Sequence, residues 1–261
     1  MPREVATGSC GRCGAVRRGR AWGACPTCGA CGVPVVVAVD TGPPLVGALP
    51  ARAIPRRSTG LPGVDVVLGG GLARGSVVLC AGAPGVGKST LWQQIAVGMG
   101  RRWPTLYATV ERGREDAQVE LSRLGLCDPA SACRVLAGAT LDVQAAAATR
   151  YAVALWVVDS LPRSLLPGAR GRVGGELHTR AALAYLIAWA RRTGGAVVAL
   201  CHLSRADTVG GHRALEHDAD AVLRLDLDGG DVVLGCESKN RFGPVGVTSR
   251  WTMGPRGLVA V

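Results

Sequence analysis

A glycine-rich loop between an apolar strand and an amphipathic helix constrains the fold of this 261-residue chain more than any other feature. Ser76–Ala81 is a short apolar run that predicts a buried strand, and Leu91, Ile95 and Met99 then follow at helical spacing. The segment between them, Gly82-Ala83-Pro84-Gly85-Val86-Gly87-Lys88-Ser89, matches the phosphate-binding pattern G-x-x-x-x-G-K-[ST]. We therefore expect an α/β domain built around this strand, loop and helix.

From Ser58 onward, apolar runs alternate with helical patterns, which is typical of a parallel sheet covered by helices. Further strands are predicted over residues 105–110, 152–158 and 196–200, with helices over 114–124 and 176–192. The runs 221–227, 231–237 and 246–253 predict antiparallel strands joined by glycine-bearing turns. The expected fold class is α/β, with a mainly parallel sheet and antiparallel strands at its C-terminal end.

The N-terminal segment carries two C-x-x-C pairs, Cys10/Cys13 and Cys25/Cys28, separated by eleven residues. Two such pairs can place four thiolates tetrahedrally around Zn²⁺, and a segment with so few apolar residues needs metal to fold. Cys31 is a spare that could replace Cys28 as the fourth ligand. We predict a small zinc ribbon over residues 1–33, a linker over 34–57 and the α/β core over 58–261.

Rare residue types are concentrated in one short segment. Of the 30 Lys+Arg residues only Lys88 and Lys239 are lysines, and Asn240 and Phe242 are the only asparagine and phenylalanine. Codon bias in a GC-rich genome accounts for their rarity, so the cluster Lys239-Asn240-Arg241-Phe242 is a candidate functional segment. The formal net charge of +11 points, weakly, to a polyanion such as nucleic acid.

The N-terminus has no apolar stretch of the kind found in secretory signals, and no uncharged run has membrane-spanning character. The five cysteines outside the first 31 residues lie singly in apolar surroundings, which is typical of buried thiols in a reducing compartment. These observations predict a cytoplasmic protein without a membrane partner.

The glycine-rich loop predicts a site for ATP and Mg²⁺. Its backbone N–H groups and the following helix N-terminus favour phosphate, Lys88 is expected on the β- and γ-phosphates, and the Ser89 hydroxyl on Mg²⁺. The full predicted binding set is Gly82, Ala83, Pro84, Gly85, Val86, Gly87, Lys88, Ser89 and Thr90.

A second Mg²⁺ ligand should be an aspartate at the end of an apolar strand. Two runs qualify, Val35–Asp40 and Ala154–Asp159, and only the second lies downstream of the loop, so Asp159 is preferred. Glu111, just after the strand predicted over 105–110, is the candidate base that activates the attacking water.

From Cys10 to about Met253, the chain resembles the bacterial RadA (Sms) family of DNA repair and recombination ATPases. The matching segments are the cysteine pairs with Trp22, Ser58–Asp65, Leu68–Leu72, the glycine-rich loop, Tyr107–Glu111, Val157–Ser160, His202–Leu223 and Lys239–Gly243. The last of these resembles a signature of the family itself and coincides with the rare-residue cluster.

This resemblance implies a RecA-like core that works as a hexameric ring on single-stranded DNA, hydrolyses ATP and drives strand exchange or branch migration, with a recombinase as a candidate partner. Lys239 and Arg241 would then act on the γ-phosphate of a neighbouring subunit, and His202 would sense that phosphate. DNA contacts are expected on the loops after the strands of Asp159 and His202, at Arg163, Arg170, Arg172, Arg205 and Arg213.

The chain departs from the family pattern in three respects. Arg112 stands where the family has a second glutamate, and Arg205 stands where it has a lysine. Family members also continue into a Lon-protease-like C-terminal domain, which we expect to be absent here. The alternatives are a KaiC-like regulatory ATPase whose ribbon binds a protein, an ATP-binding accessory protein without motor activity, and a filament-forming recombinase, which the ribbon and the signature disfavour.

Overall fold

The computed structural model describes residues 6–10, 16–18, 24, 35–39, 54–202 and 213–261. They belong to two compact units, Met1–Ala53 and Ile54–Val261. In the smaller unit, β1 (Ala6–Cys10) pairs antiparallel with both β2 (Val16–Arg18) and β3 (Val35–Val39). β3 lies within the predicted linker and covers the apolar part of the run Val35–Asp40, the alternative to that of Asp159; Asp40 itself lies outside the described residues.

The predicted zinc ligands Cys13, Cys25 and Cys28, and the spare Cys31, lie outside the described residues. Cys10 is the last residue of β1, where only the backbone is described. The zinc ribbon therefore stays a prediction.

The larger unit opens with the short antiparallel pair β4 (Arg56–Arg57) and β5 (Leu72–Ala73). The strands that follow are β6 (Val77–Gly82), β7 (Thr105–Thr109), β8 (Cys133–Ala137), β9 (Leu155–Asp159), β10 (Ala196–His202), β11 (Ala221–Asp228), β12 (Asp231–Cys236), β13 (Val247–Gly254) and β14 (Gly257–Ala260). The helices are α1 (Pro62–Leu68), α2 (Lys88–Met99), α3 (Arg114–Arg123), α4 (Leu141–Arg150), α5 (Glu176–Thr193) and α6 (Arg213–Asp218), with a 3₁₀ turn at Leu161–Arg163.

Among the residues described in this unit, nine strands form one sheet in the order β14-β13-β12-β11-β6-β10-β9-β7-β8. The strands from β11 to β8 in this order pair in parallel, whereas β12, β13 and β14 continue the sheet antiparallel. The predicted α/β class, with a mainly parallel sheet and C-terminal antiparallel strands, is confirmed.

Apolar residues on both faces of the central strands form the core. Val78 and Cys80 belong to the cluster on the α2 face, while Val77 and Leu79 belong to the cluster that contains Trp189 of α5. Strands covered by helices on both sides need apolar residues at every position, which explains their unbroken runs in the sequence. Each large apolar side chain fully buried in this way contributes about 1.5–3 kcal/mol to stability.

The predicted strand over 152–158 begins only at Leu155. Ala152 has a φ of 47°, in the left-handed region, because the chain turns there after α4. In the larger unit, the elements that were not predicted are the strands β4, β5, β8 and β14 and the helices α1, α4 and α6.

The terminal hairpin of β13 and β14 is attached to α2. The Gln94 side-chain amide donates to the carbonyl of Leu258 (3.1 Å) and accepts from its N–H (2.9 Å), as a neighbouring strand would. Gly257, at the start of β14, has a φ of 105° that favours glycine. Within the described part of the chain, no helix combines the length and apolar character that a bilayer crossing requires.

Candidate nucleotide site

The predicted nucleotide-binding residues meet at one edge of the sheet. The neighbouring parallel strands β6, β10, β9 and β7 end there, at Gly82, His202, Asp159 and Thr109 respectively. Parallel strands share one carboxyl edge, which is where ligands bind in open α/β sheets. Residues far apart in sequence are thus brought together.

Two glycines of the loop are required by close packing. A Cβ on Gly82 would lie 2.5 Å from the Leu225 carbonyl oxygen. Gly87 has a φ of 108°, and a Cβ there would lie 2.9 Å from Met253 Cε. The loop is therefore held between β11 and the terminal hairpin, and it leads directly into α2, whose N-terminus favours anions.

Lys88 is the first residue of α2 and is 6% exposed. Its Nζ donates hydrogen bonds to the carbonyl oxygens of Gly82 (2.8 Å) and Ala83 (2.9 Å). Burial lowers the pKa of Lys88, and the carboxylates of Asp159 and Glu111 act in the opposite direction. The ammonium is bonded to neutral oxygens, so it can neutralise phosphate charge at this edge.

Asp159 and Ser89 form an oxygen cluster suited to Mg²⁺. The Ser89 hydroxyl and the Tyr107 hydroxyl both hydrogen-bond to the Asp159 carboxylate. Burial raises the pKa of Asp159, and the two hydroxyls oppose this shift. A buried carboxylate beside a hydroxyl is the donor set that Mg²⁺ takes up together with phosphate oxygens, so the residues fit the predicted ion.

Glu111 lies beside this cluster, with its side chain 26% exposed. The Ser160 hydroxyl donates to Glu111 Oε1, and His202 Nε2 lies 3.5 Å from the same oxygen. Burial raises the pKa of Glu111, but these two contacts and the charge of Arg163 outweigh it, so the net pKa is lowered. The carboxylate therefore stays ionised at neutral pH, as a general base must.

Lys239 and Arg241 lie at the opposite edge of the sheet. The Lys239 ammonium donates to the carbonyls of Glu216 and His217, and Arg241 Nη1 lies 2.7 Å from Asp220 Oδ1. Asp220 also accepts from the N–H of Val77, the first residue of β6. Gly82 lies five residue steps along β6, or ~16 Å, from this edge.

Because they lie at the amino edge, Lys239 and Arg241 are too far from the P-loop of their own chain to contact a phosphate bound there.

The turn that follows these two residues is shaped by Asn240, whose side chain donates to Pro244 O (3.2 Å) and accepts from the N–H of Phe242 (3.1 Å).

The predicted DNA-binding arginines are placed in part. Arg163, Arg170 and Arg172 are exposed on the loop from 161 to 175. Arg205 lies outside the described residues, and Arg213 is the first residue of α6, where only the backbone is described.

Sequence reasoning missed Tyr107, Ser160, Arg191 and Asp220 as parts of these networks. Tyr107 and Ser160 lie within segments that carry the family resemblance, which is a signal that could have drawn attention to them. Arg191 and Asp220 carry no local signal, because their pairing depends on packing between α5 and the start of β11.

Comparison with known proteins identifies the family of the chain. The family model described as AAA domain matches residues 48–208, which is more than half of the chain. The DNA repair protein RadA of Pseudomonas aeruginosa is 33% identical over 209 residues, covering 80% of this chain and 46% of the relative. RadA of Escherichia coli is 32% identical over 206 residues, covering 78% and 44%.

Two solved structures share the fold. A KaiC-like protein of Pyrococcus horikoshii superposes with a TM-score of 0.64 at 20% identity, covering 80% of this chain and 99% of that protein. The RadB recombinase superposes with a TM-score of 0.58 at 24% identity, covering 78% and 99%. The core is thus a RecA-like P-loop fold.

The chain spans less than half the length of the curated relatives it matches. The matches nevertheless include the glycine-rich loop, Glu111 and Asp159 within the AAA domain region. The chain therefore belongs to the AAA domain family and to the bacterial RadA family that its sequence resembles.

Proposed function

We propose that this protein is an ATP hydrolase of DNA repair and recombination that binds single-stranded DNA and is stimulated by it. One observation carries the proposal: Glu111, an ionised carboxylate, lies at the same sheet edge as the Lys88 loop and Asp159, and the arginine-bearing loop 161–175 starts from that edge. Hydrolysis and DNA contact would then involve adjoining segments.

The residues of the edge suit phosphoryl transfer. Backbone N–H groups of the loop and Lys88 would hold the phosphates of ATP, and Ser89 and Asp159 would hold Mg²⁺, which neutralises developing charge when bound. Glu111 would accept a proton from the attacking water, since its lowered pKa keeps it ionised. His202, 3.5 Å from Glu111, would respond to the γ-phosphate.

The loop 161–175 suits a phosphate backbone. Arg163, Arg170 and Arg172 are exposed, and Gly168, Gly171 and Gly174 have positive φ values that glycine adopts without strain. Cationic side chains on such a loop bind DNA phosphates without reading bases. We extend the proposal to Arg205 and Arg213 on the second loop.

Assembly would complete the site. Lys239 and Arg241 lie on the edge away from the P-loop of their own chain, so a γ-phosphate within their range belongs to a neighbouring subunit. This supports a ring, hexameric as the resemblance implies, in which each subunit supplies two cations to the next. In this proposal the ring drives strand exchange or branch migration in the cytoplasm, in concert with a recombinase.

The zinc ribbon is part of the proposal. Cys10 ends β1, which pairs antiparallel with β2 and β3, and the spacing of the two C-x-x-C pairs in the sequence supports the choice of ligands. Bound Zn²⁺ at Cys10, Cys13, Cys25 and Cys28 is directly measurable by metal analysis of the purified protein, and a cysteine-to-serine change at Cys28 should release it. Release by the same change at Cys31 instead would reassign the fourth ligand.

The test of the function is the rate of ATP hydrolysis with and without single-stranded DNA. We expect stimulation by DNA, and weaker DNA binding when Arg163, Arg170 and Arg172 are replaced together by alanine. The salt dependence of that binding should fall by a log–log slope of about 2, because three phosphate contacts are lost. The matched control replaces three exposed arginines at helix ends, Arg102, Arg123 and Arg150, and should bind normally.

Two other results would redirect the proposal. ATP hydrolysis that DNA leaves unchanged, together with salt-independent binding of a protein partner to the N-terminal segment, would favour the regulatory ATPase. ATP binding without hydrolysis would favour the accessory protein.

A further inference from the structure

One carboxylate oxygen, Glu111 Oε1, lies beside the residue that precedes each candidate DNA loop. The Ser160 hydroxyl donates to Glu111 Oε1, and His202 Nε2 lies 3.5 Å from the same atom. Ser160 is the residue before the 3₁₀ turn that opens the first loop, and His202 is the last residue of β10, before the second. The predicted base therefore touches the starting point of each loop.

Ser160 is hydrogen-bonded to the first residues of the first loop. Its side chain is buried, and its carbonyl accepts a hydrogen bond from the fully buried Ser164 hydroxyl (2.9 Å). Ser164 N–H in turn bonds to Leu161 O (3.2 Å), so residues 160–164 form one closed turn. Arg163, exposed on this turn, is close enough for its charge to act on Glu111.

The far side of the turn is also attached. Leu165 O accepts from the N–H of Leu141 (2.9 Å) at the start of α4, and the N–H of Leu166 donates to His178 Nε2 (3.2 Å) in α5. Hydrogen bonds on both sides of Arg163 thus form a continuous connection between this exposed arginine and Ser160.

We propose that Ser160 is a positioning residue that couples the DNA loop to the catalytic base, its hydroxyl setting the orientation of the Glu111 carboxylate according to what the loop binds. The inference rests on the proposed DNA-stimulated hydrolysis and adds the residue that transmits the stimulation. Among the described residues, the Ser160 hydroxyl bonds to Glu111 rather than to Lys88 or Ser89, so it can act on catalysis without acting on ATP binding.

The test compares Ser160→Ala with the wild type in ATP hydrolysis at saturating and zero single-stranded DNA. We expect the DNA-stimulated kcat to fall about tenfold and the ratio of stimulated to basal rate to approach one, which is an ordinary size for coupling between sites. The KM for ATP should stay within about twofold, because binding of the nucleotide is untouched.

Two further variants make the result specific. Ser160→Cys fills nearly the same space with a weak donor and should show the same loss, and it decides the question if the alanine variant is unfolded. Ser76→Ala removes another buried hydroxyl, bonded to Ala73 O (2.7 Å) at the opposite sheet edge, and should behave as the wild type.

Each outcome has one meaning. Loss of stimulation in both Ser160 variants with KM unchanged supports the coupling. Normal stimulation in a folded Ser160 variant, a tenfold change in KM, or an equal loss in Ser76→Ala overturns it. If DNA fails to stimulate the wild type, the proposed function is rejected and the coupling with it, which separates the two failures.

Discussion

The charged residues at the two edges of the central sheet have opposite kinds of partner: mainly neutral groups at the carboxyl edge, and opposite charges at the amino edge. At the carboxyl edge, the Lys88 ammonium bonds to neutral carbonyls, and the Glu111 carboxylate bonds to a serine and lies near a histidine. At the amino edge, Asp220 is 1% exposed and accepts from two arginines, Arg191 and Arg241, and from a backbone N–H.

This difference separates the charges that stabilise the fold from those that are available for chemistry. The buried Asp220 carboxylate accepts from two arginines and a backbone N–H, so removing this carboxylate is costly. At the carboxyl edge, by contrast, the Lys88 ammonium bonds to neutral carbonyls and the Asp159 carboxylate to neutral hydroxyls, so phosphate and Mg²⁺ can replace these partners. Arg241 is intermediate, since its side chain is 50% exposed although paired.

The largest effect is expected where the amino edge is broken. Asp220→Ala should lower the free energy of unfolding by about 3–5 kcal/mol, because Arg191 and the Val77 N–H lose a buried partner. Chemical denaturation measures this. The control is Asp228→Ala, which removes an exposed partner of Arg250 and should cost less than about 1 kcal/mol. Equal losses in the two variants would remove the distinction between the edges.

Lys88→Ala, unlike Asp220→Ala, should reduce activity without reducing stability. We expect ATP hydrolysis to fall roughly a thousandfold, because a donor to the transferred phosphate is lost. Stability should be unchanged or higher, since a buried ammonium with a burial-lowered pKa is removed. Parallel ATPase and melting measurements check both. A melting temperature lowered by as much as in Asp220→Ala would contradict the contrast.

Glu111→Gln tests the role of Glu111 as the general base separately from ATP binding. We expect kcat to fall about a hundredfold while ATP affinity stays within about twofold, since the amide keeps the shape of the side chain but accepts protons poorly. Single-turnover hydrolysis and equilibrium ATP binding measure the two quantities separately. Unchanged hydrolysis would assign water activation to another residue.

Arg241→Ala tests whether the amino edge also serves catalysis. We expect kcat to fall roughly thirtyfold, with Lys239 retaining part of the charge, and stability to fall by only about 1 kcal/mol. Mixing this variant with Lys88→Ala should restore some activity, since a mixed ring contains sites with both residues intact. Arg250→Ala, a matched exposed arginine, should retain full activity. No recovery on mixing would contradict action between subunits.

Local sequence signals were enough to predict the carboxyl edge. Lys88 and Ser89 lie in a motif whose conformation is set by its own glycines, and Asp159 ends a short apolar run that is typical of a buried strand. The strand β8 was missed because Cys133–Ala137 is a run of only five residues, interrupted by Arg134, at the edge of the sheet. The helix α4 was missed because its buried residues, Leu141, Gln144, Ala145 and Ala148, include only one large apolar side chain.

The partners of these residues could not be predicted. Ser160 and Glu111 are separated by 49 positions, and Arg241 and Asp220 by 21. Such contacts depend on which strands lie side by side, and strand order is a property of the assembled sheet rather than of any segment. Arg241 could thus be recognised as a candidate cation from the sequence, whereas its buried carboxylate could not.

The contact between Gln94 and Leu258 determines when the P-loop helix can reach its final packing during synthesis. The helix that follows the P-loop is held by the terminal hairpin, and Gly87 of the loop packs against Met253 and Leu258. During synthesis the ribosome must add about 170 residues after Gly87 before these contacts can form, which takes about 10–35 seconds at ordinary elongation rates. A nascent chain therefore carries its ATP-binding motif long before it has the support that shapes it, and chains stalled within this interval should bind nucleotide poorly.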